Sequence, residues 1–202
     1  MNNIYPYLET PKLILRRLEI VDAERVQKLL ASNKAFMLPW IPWAKDEPQT
    51  VAEKKAQIRQ WTGEFFLDQK YVYGLYTKNQ PNEIIGLCFL LTRQGKGILE
   101  IGYIIDHGQT GKGYATESSY ALCKLSLMIL QQEKSLIVCS AENIASAKVP
   151  EKLGYQLEAT RKTLQKREDG SREPIMRWAM YQEDFQIIDK FEPIHFEKEK
   201  NW

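Results

Sequence analysis

The chain has 202 residues, 44% of them hydrophobic and 27% charged, the balance of a soluble globular protein with length for one domain and a sizeable core. Its net charge of +2 gives no case for general nucleic-acid binding. No apolar run approaches the roughly 20 residues of a membrane helix.

Lys12 to Leu18 reads as a first strand, with Leu13 and Leu15 alternating against polar neighbours. Asp22 is placed to cap a helix to about Ser32, whose apolar stripe is Val26, Leu29 and Leu30. The apolar segment from Met37 to Trp43 follows, and its two prolines stop it from continuing a helix. Thr50-x-x-Glu53 is a capping-box signature for a helix to about Asp68. Tyr71 to Thr77 and Ile84 to Leu91 read as strands joined by the turn residues Asn79 to Asn82. A second turn, Arg93 to Gly97, leads into a strand from Leu99 to Ile105. Helical spacing then runs from Ala115 to Leu130, followed by a short strand from Leu136 to Cys139 and a short helix from Ala145 to Lys152 with Gly154 as its stop. Gln156–Thr163 and Pro174–Met180 form a hairpin around Glu168-Asp169-Gly170-Ser171. The basic residues of this hairpin, Arg161, Lys162, Lys166, Arg167 and Arg172, read as a solvated face. The order of elements indicates a single mixed α/β or α+β domain with a core at about 10–181. The stretch 182–202 is an extension whose Phe185, Ile187, Ile188, Phe191 and Phe196 call for packing on the domain or on a second copy in a homodimer.

Cys88, Cys123 and Cys139 are odd in number and lie in apolar patterns, so they read as buried thiols. With only His107 and His195 available, no metal site is expected. The N-terminal residues lack the basic start and apolar centre of a secretory signal, which points to the cytoplasm.

The most informative segment is Gln109-Thr110-Gly111-Lys112-Gly113-Tyr114-Ala115-Thr116-Glu117, between a strand and a helix. Glycines flanking one residue let the backbone turn its amides inward, and the helix adds free N–H groups and the positive end of its dipole. The result is a cradle for phosphate oxygens. Only Gln109 and Thr110 lie between Gly108 and Gly111-Lys112, and Gly113 follows, so neither the spacing nor the hydroxyl of a Walker loop is present. The dinucleotide pattern fails as well, because Thr116 stands where a third glycine belongs and Glu133 falls in a helix–strand loop.

The loop's surroundings are more specific. Leu99 to Ile105 before it, Ala141-Glu142-Asn143-Ile144-Ala145-Ser146 after it, and Glu151-Lys152-Leu153-Gly154-Tyr155 together resemble the GNAT acetyltransferases. Within them the chain is similar to the branch that acetylates ribosomal-protein N-termini. The resemblance runs from about Thr10 to Met180. It implies a seven-strand mixed sheet splayed between two central parallel strands and flanked by helices, with acetyl-CoA in the split. The family's Q/R-x-x-G-x-G/A loop corresponds to Thr110, Gly111, Lys112, Gly113, Tyr114 and Ala115, with Thr110 in place of the usual Gln or Arg. By the same resemblance, backbone groups of Tyr103, Ile104 and Ile105 hold pantetheine and polarise the thioester.

Acetyl transfer needs a neutral amine, a stabilised carbonyl oxygen and an outlet for the thiolate. Glu100, on an otherwise apolar strand, is the candidate base, directly or through water. Asn143 reads as an N-cap for the next helix, and the resemblance adds a contact to pantetheine. Many GNAT enzymes place a tyrosine acid at the position held here by Pro150, so the resemblance implies that Ser146 is the hydroxyl near the sulfur. Trp40 and Trp43, with Trp61, fall where the family covers the acceptor, and anchoring of the proline-rich connection to the core is the alternative reading of Trp40 and Trp43. The acceptor expected is a protein N-terminal α-amine. A small amine such as a polyamine or antibiotic, or a non-catalytic acyl-CoA sensor, remains the alternative.

Overall fold

The computed structural model describes residues 5–166, 170–188 and 194–198. Among the described residues nine strands form one sheet: β1 (Tyr7–Glu9), β2 (Leu13–Arg17), β3 (Lys70–Thr77), β4 (Gln80–Leu91), β5 (Ile98–Ile105), β6 (Lys134–Ser140), β7 (Gln156–Lys166), β8 (Arg172–Tyr181) and β9 (His195–Glu197). The helices are α1 (Ala23–Met37), α2 (Val51–Phe66), α3 (Tyr114–Lys124), α4 (Ile144–Lys152) and α5 (Gln182–Ile188). The strand order is β7-β8-β6-β5-β4-β3-β2-β1-β9. Every pairing is antiparallel except β5 with β6. Nine strands replace the expected seven because β1 and β9, too short to show a period, extend one edge.

The expected mixed, splayed sheet is present. β5 and β6 are in register only from Ile98–Lys134 to Ile101–Ile137. Beyond that pair each strand runs on with its outer neighbour alone, β5 with β4 to Ile105 and β6 with β8 to Ser140.

Helix ends follow local chemistry, with one exception. The capping box of α2 is complete: Thr50 Oγ1 accepts from the Glu53 amide at 3.2 Å, and Glu53 Oε2 accepts from the Thr50 amide at 2.7 Å. Asp22 stands before α1 but does not cap it. Its carboxylate instead accepts from both Arg16 terminal nitrogens, each at 2.8 Å, and from the Glu19 amide at 2.9 Å. A bidentate charged pair outcompetes a single capping bond. The Arg16 bonds hold the Asp22 carboxyl below its ordinary value against the opposing effect of burial, which is the larger single contribution. α1 also outruns the expected Ser32, because Lys34 to Met37 keep helical form up to the prolines. β4 begins at Gln80, inside the expected turn. After α3 the helical spacing continues through a π turn at Leu125–Ile129.

Two cores lie on opposite faces of the sheet. On one, Val26, Leu29 and Leu30 of α1 and Ile58 of α2 pack on Val72, Leu87 and Ile104. On the other, Tyr120, Ala121 and Leu122 of α3 and Val149 of α4 pack on Leu99, Ile101, Ile137 and Trp178. Each fully buried aliphatic side chain contributes about 1.5–3 kcal/mol, so helices are held to both faces of the splayed strands. The C-terminal extension packs on this domain: Phe185 is buried against Tyr120 at 5.6 Å between ring centroids, and β9 pairs with β1. Arg167, Glu168, Asp169 and Phe191 lie outside the described residues, as do the side chains of Lys166, Ile187 and Ile188.

Candidate active site

The splay opens a cleft of about 1340 Å³ that passes from α1 and α2, between β5 and β6, to the start of α3 and along α4. Its geometry follows from the register. Once pairing stops at Ile101–Ile137, the main-chain groups of β5 that face β6 have no sheet partner, and Tyr103, Ile104 and Ile105 line the opening. Unpaired amides and carbonyls in an apolar wall are ready partners for an extended amide-bearing ligand.

At one end stands the glycine loop. Gly111 and Gly113 have φ of +78° and +85°, conformations that favour glycine, and Gly113 is the N-cap of α3. The first intrahelical bond runs from the Glu117 amide to the Gly113 carbonyl at 3.0 Å. The amides of Tyr114, Ala115 and Thr116 therefore point out of the helix end, unpaired among the described residues. Thr110 turns away from this cradle, its hydroxyl donating to the His107 carbonyl at 2.9 Å. Lys112 Nζ donates to Gln109 Oε1 at 2.7 Å. Lys148 and Lys152 of α4 also line the cleft. Sequence reasoning passed over them, although their i, i+4 spacing places them on one helix face.

At the fork, Asn143 is the N-cap of α4, its Oδ1 accepting from the Ser146 amide at 3.1 Å. Pro150 lies inside that helix and has no N–H for the carbonyl of Ser146 four residues earlier. The Tyr103 hydroxyl donates to that carbonyl at 3.0 Å and lies 2.8 Å from Ser146 Oγ. The single phenolic proton is committed to the carbonyl, so Ser146 Oγ is the donor in the second contact. A tyrosine from β5 thus bridges the fork to α4. Burial pushes the Tyr103 hydroxyl above the ordinary tyrosine range. It also raises the neighbouring thiol of Cys139, so this cleft-lining cysteine is held as a thiol.

The other end is built from side chains. Glu100 is 3% exposed, yet it lines the cleft. Arg93 Nε donates to it at 3.1 Å, while Arg93 Nη2 and Gln94 Nε2 donate through further short contacts. Gln94 Oε1 in turn accepts from Arg177 at 3.0 Å. The bond to Glu100 raises the Arg93 guanidinium above its ordinary value. Trp40 and Trp43 lie at the mouth, about two-fifths exposed. The segment carrying them is anchored by the buried pair of Lys54 with Glu47 and by Lys34, which donates to the carbonyls of Lys45 and Glu47. Phe36 stacks on His107 with centroids 3.5 Å apart. Asn33 of α1 donates to Asp106 Oδ1 at 3.0 Å and accepts from the His107 amide at 2.7 Å, which ties α1 to the segment entering the glycine loop.

Residues 12–156 match the family model described as the acetyltransferase (GNAT) domain. The chain belongs to the GNAT acetyltransferases. It is accordingly an acyltransferase. It is 26% identical over 153 residues to a Bacillus subtilis protein named Probable N-acetyltransferase YjcK, a match covering 75% of this chain and 84% of that one. Its fold is shared by Mycobacterium smegmatis RimJ in complex with CoA-disulfide, with a TM-score of 0.80 and 18% identity over 95% of this chain and 93% of that one. It is also shared by RimL, a ribosomal L7/L12 α-N-protein acetyltransferase in complex with coenzyme A, with a TM-score of 0.75 and 18% identity over 87% and 97% of the two chains.

In this GNAT enzyme the expected residues Trp40, Trp43, Glu100, Tyr103, Ile104, Ile105, Thr110, Gly111, Gly113, Tyr114, Ala115, Asn143 and Ser146 all border one cleft. Lys112 sits in the loop without lining the cleft, its side chain donating to Gln109. The acceptor end also includes Asn33, Phe36, Glu64, Lys70 and Arg93. These come from three distant segments, and no spacing in the sequence draws them together.

Proposed function

We propose that this enzyme transfers the acetyl group of acetyl-CoA directly to a protein N-terminal α-amine in the cytoplasm. The single observation that carries the reading is the loss of β5–β6 pairing beyond Ile101–Ile137, which opens directly onto the amides at the start of α3. The pantetheine arm would pair with the free edge of Tyr103–Ile105. The pyrophosphate would rest on the amides around Gly111 to Thr116, with Lys148 and Lys152 supplying positive charge. The names of RimL and RimJ, which share the fold, support the same donor.

The amine nitrogen attacks the thioester carbon, the C–S bond breaks, and the thiolate takes up a proton. Three donors already occupy the Glu100 carboxylate, so the proton of the amine leaves through solvent that Glu100 orders. An α-amine, with a pKa near about 8 against about 10.4 for lysine, needs the least assistance and suits such a site. Ser146 delivers a proton to the sulfur by swinging its hydroxyl away from Tyr103. A cleft mouth with Phe36, Trp40 and Trp43 exposed suits a peptide chain.

Release of CoA from acetyl-CoA with a panel of N-terminal peptides, polyamines and aminoglycosides tests this reading. Turnover confined to peptides is expected. Turnover of polyamines or aminoglycosides alone would assign a small-amine enzyme, and tight acetyl-CoA binding with no turnover would assign a sensor.

A further inference from the structure

Four charged side chains border the acceptor end of the cleft: Glu64, Lys70, Arg93 and Glu100. Arg93 and Glu100 neutralise each other. The other two form no ion pair among the described residues. Glu64, in the last turn of α2, accepts from Gln60 at 2.7 Å through Oε1, but its Oε2 is buried and has no hydrogen-bond partner among the described residues. Lys70, which opens β3, lies over the rings of Trp61 and Phe89 at 5.3 and 5.8 Å and makes no ion pair among the described residues. Burial lowers its ammonium below the ordinary lysine range, and the Arg93 charge adds to this, while the Glu64 charge opposes it. Glu64 thus lies near enough to act on Lys70, yet the two form no ion pair among the described residues.

A buried carboxylate oxygen without a donor and a half-buried ammonium without an ion-pair partner both cost free energy. Both costs are relieved by one ligand carrying the complementary pair of groups. We infer that the acceptor is acidic: Lys70 receives an anionic group beside its reacting amine, and Glu64 Oε2 accepts an N–H of the same molecule. Trp61, one helical turn before Glu64 and under Lys70, supplies the apolar floor between the two charges. Glu100 already engages Arg93 through Nε and Nη2, so Lys70, which has no ion pair among the described residues, is the residue assigned to select the anion. This deepens the proposed function by naming the class of N-terminus: one led by a carboxylate or phosphate side chain.

The test compares four tripeptide amides led by Asp, Asn, phosphoserine and Ser, using the full chain. The wild-type enzyme is expected to favour each acidic peptide over its neutral partner by about tenfold or more in kcat/KM, and the larger of the two preferences identifies the anion. Lys70→Met should abolish the preference with acetyl-CoA affinity retained, Lys70→Arg should keep it, and Glu64→Gln should lower kcat/KM for all four. Equal rates for acidic and neutral peptides on the wild-type enzyme, or a preference that survives Lys70→Met, would overturn the inference. If no peptide is turned over, the transferase reading of the acceptor fails. Calorimetric titration of the CoA-loaded protein with the Asp and Asn peptides then decides the inference separately, and equal affinities would sink it.

Discussion

The two ends of the cleft are made of different material. At the glycine loop, recognition comes from the backbone: positive-φ glycines, the unpaired amides of α3 and the free edge of β5. At the acceptor mouth it comes from side chains of α1, α2, β3 and β5, several of them held by hydrogen bonds and ion pairs to other side chains. Backbone recognition tolerates almost any side chain and fixes a few conformations, so it serves a cosubstrate that never changes. Side-chain recognition can be rewritten residue by residue, so it suits the partner that differs between members of one fold.

The contrast can be tested by substitution. The largest effect is expected at Gly113, where φ is +85°. Valine there must abandon the left-handed conformation and move the cradle, which should weaken acetyl-CoA binding by about 100-fold, or about 3 kcal/mol. Calorimetry would measure it, and unchanged affinity would remove the backbone cradle as the basis of binding. An intermediate effect is expected for Trp40→Ala. Loss of an aromatic wall should raise the peptide KM about tenfold while leaving acetyl-CoA affinity alone. A matching loss of acetyl-CoA affinity in steady-state kinetics would erase the division between the ends. The smallest effect is expected for Lys112→Ala. Its side chain is exposed and folded onto Gln109, so acetyl-CoA affinity should fall by no more than about threefold. A loss as large as that at Gly113 would transfer the burden from main chain to side chain.

The same division explains what the sequence disclosed. The cofactor end was legible because its determinants are contiguous: strand, two glycines and helix within residues 99 to 130. The capping box of α2 was legible for the same reason. Asp22 misled because its partner, Arg16, lies across a turn on β2. β1 and β9 escaped notice because three residues carry no period. Glu100 could be singled out as an unexpected carboxylate, yet its clamping by Arg93 and Gln94 depends on how the turn after β4 folds back. Glu64 and Lys70 look like ordinary surface charges on a helix and a strand, and only the structure shows Glu64 Oε2 buried without a donor and Lys70 lying over Trp61 at the cleft.

Pro150 makes two distant positions answerable to each other. By withholding an amide it leaves one carbonyl of α4 open, and the residue that answers stands 43 positions away on β5. Any replacement of Pro150 that restores an N–H gives that carbonyl a second suitor, and the pull on Tyr103 slackens. Conversely, phenylalanine at 103 strands the carbonyl only while proline remains at 150. The two positions are therefore expected to drift together among descendants of this sequence, each change permissive or harmful according to the other. A fork in a sheet is in this way kept at its width by a bond that a helix could not make for itself.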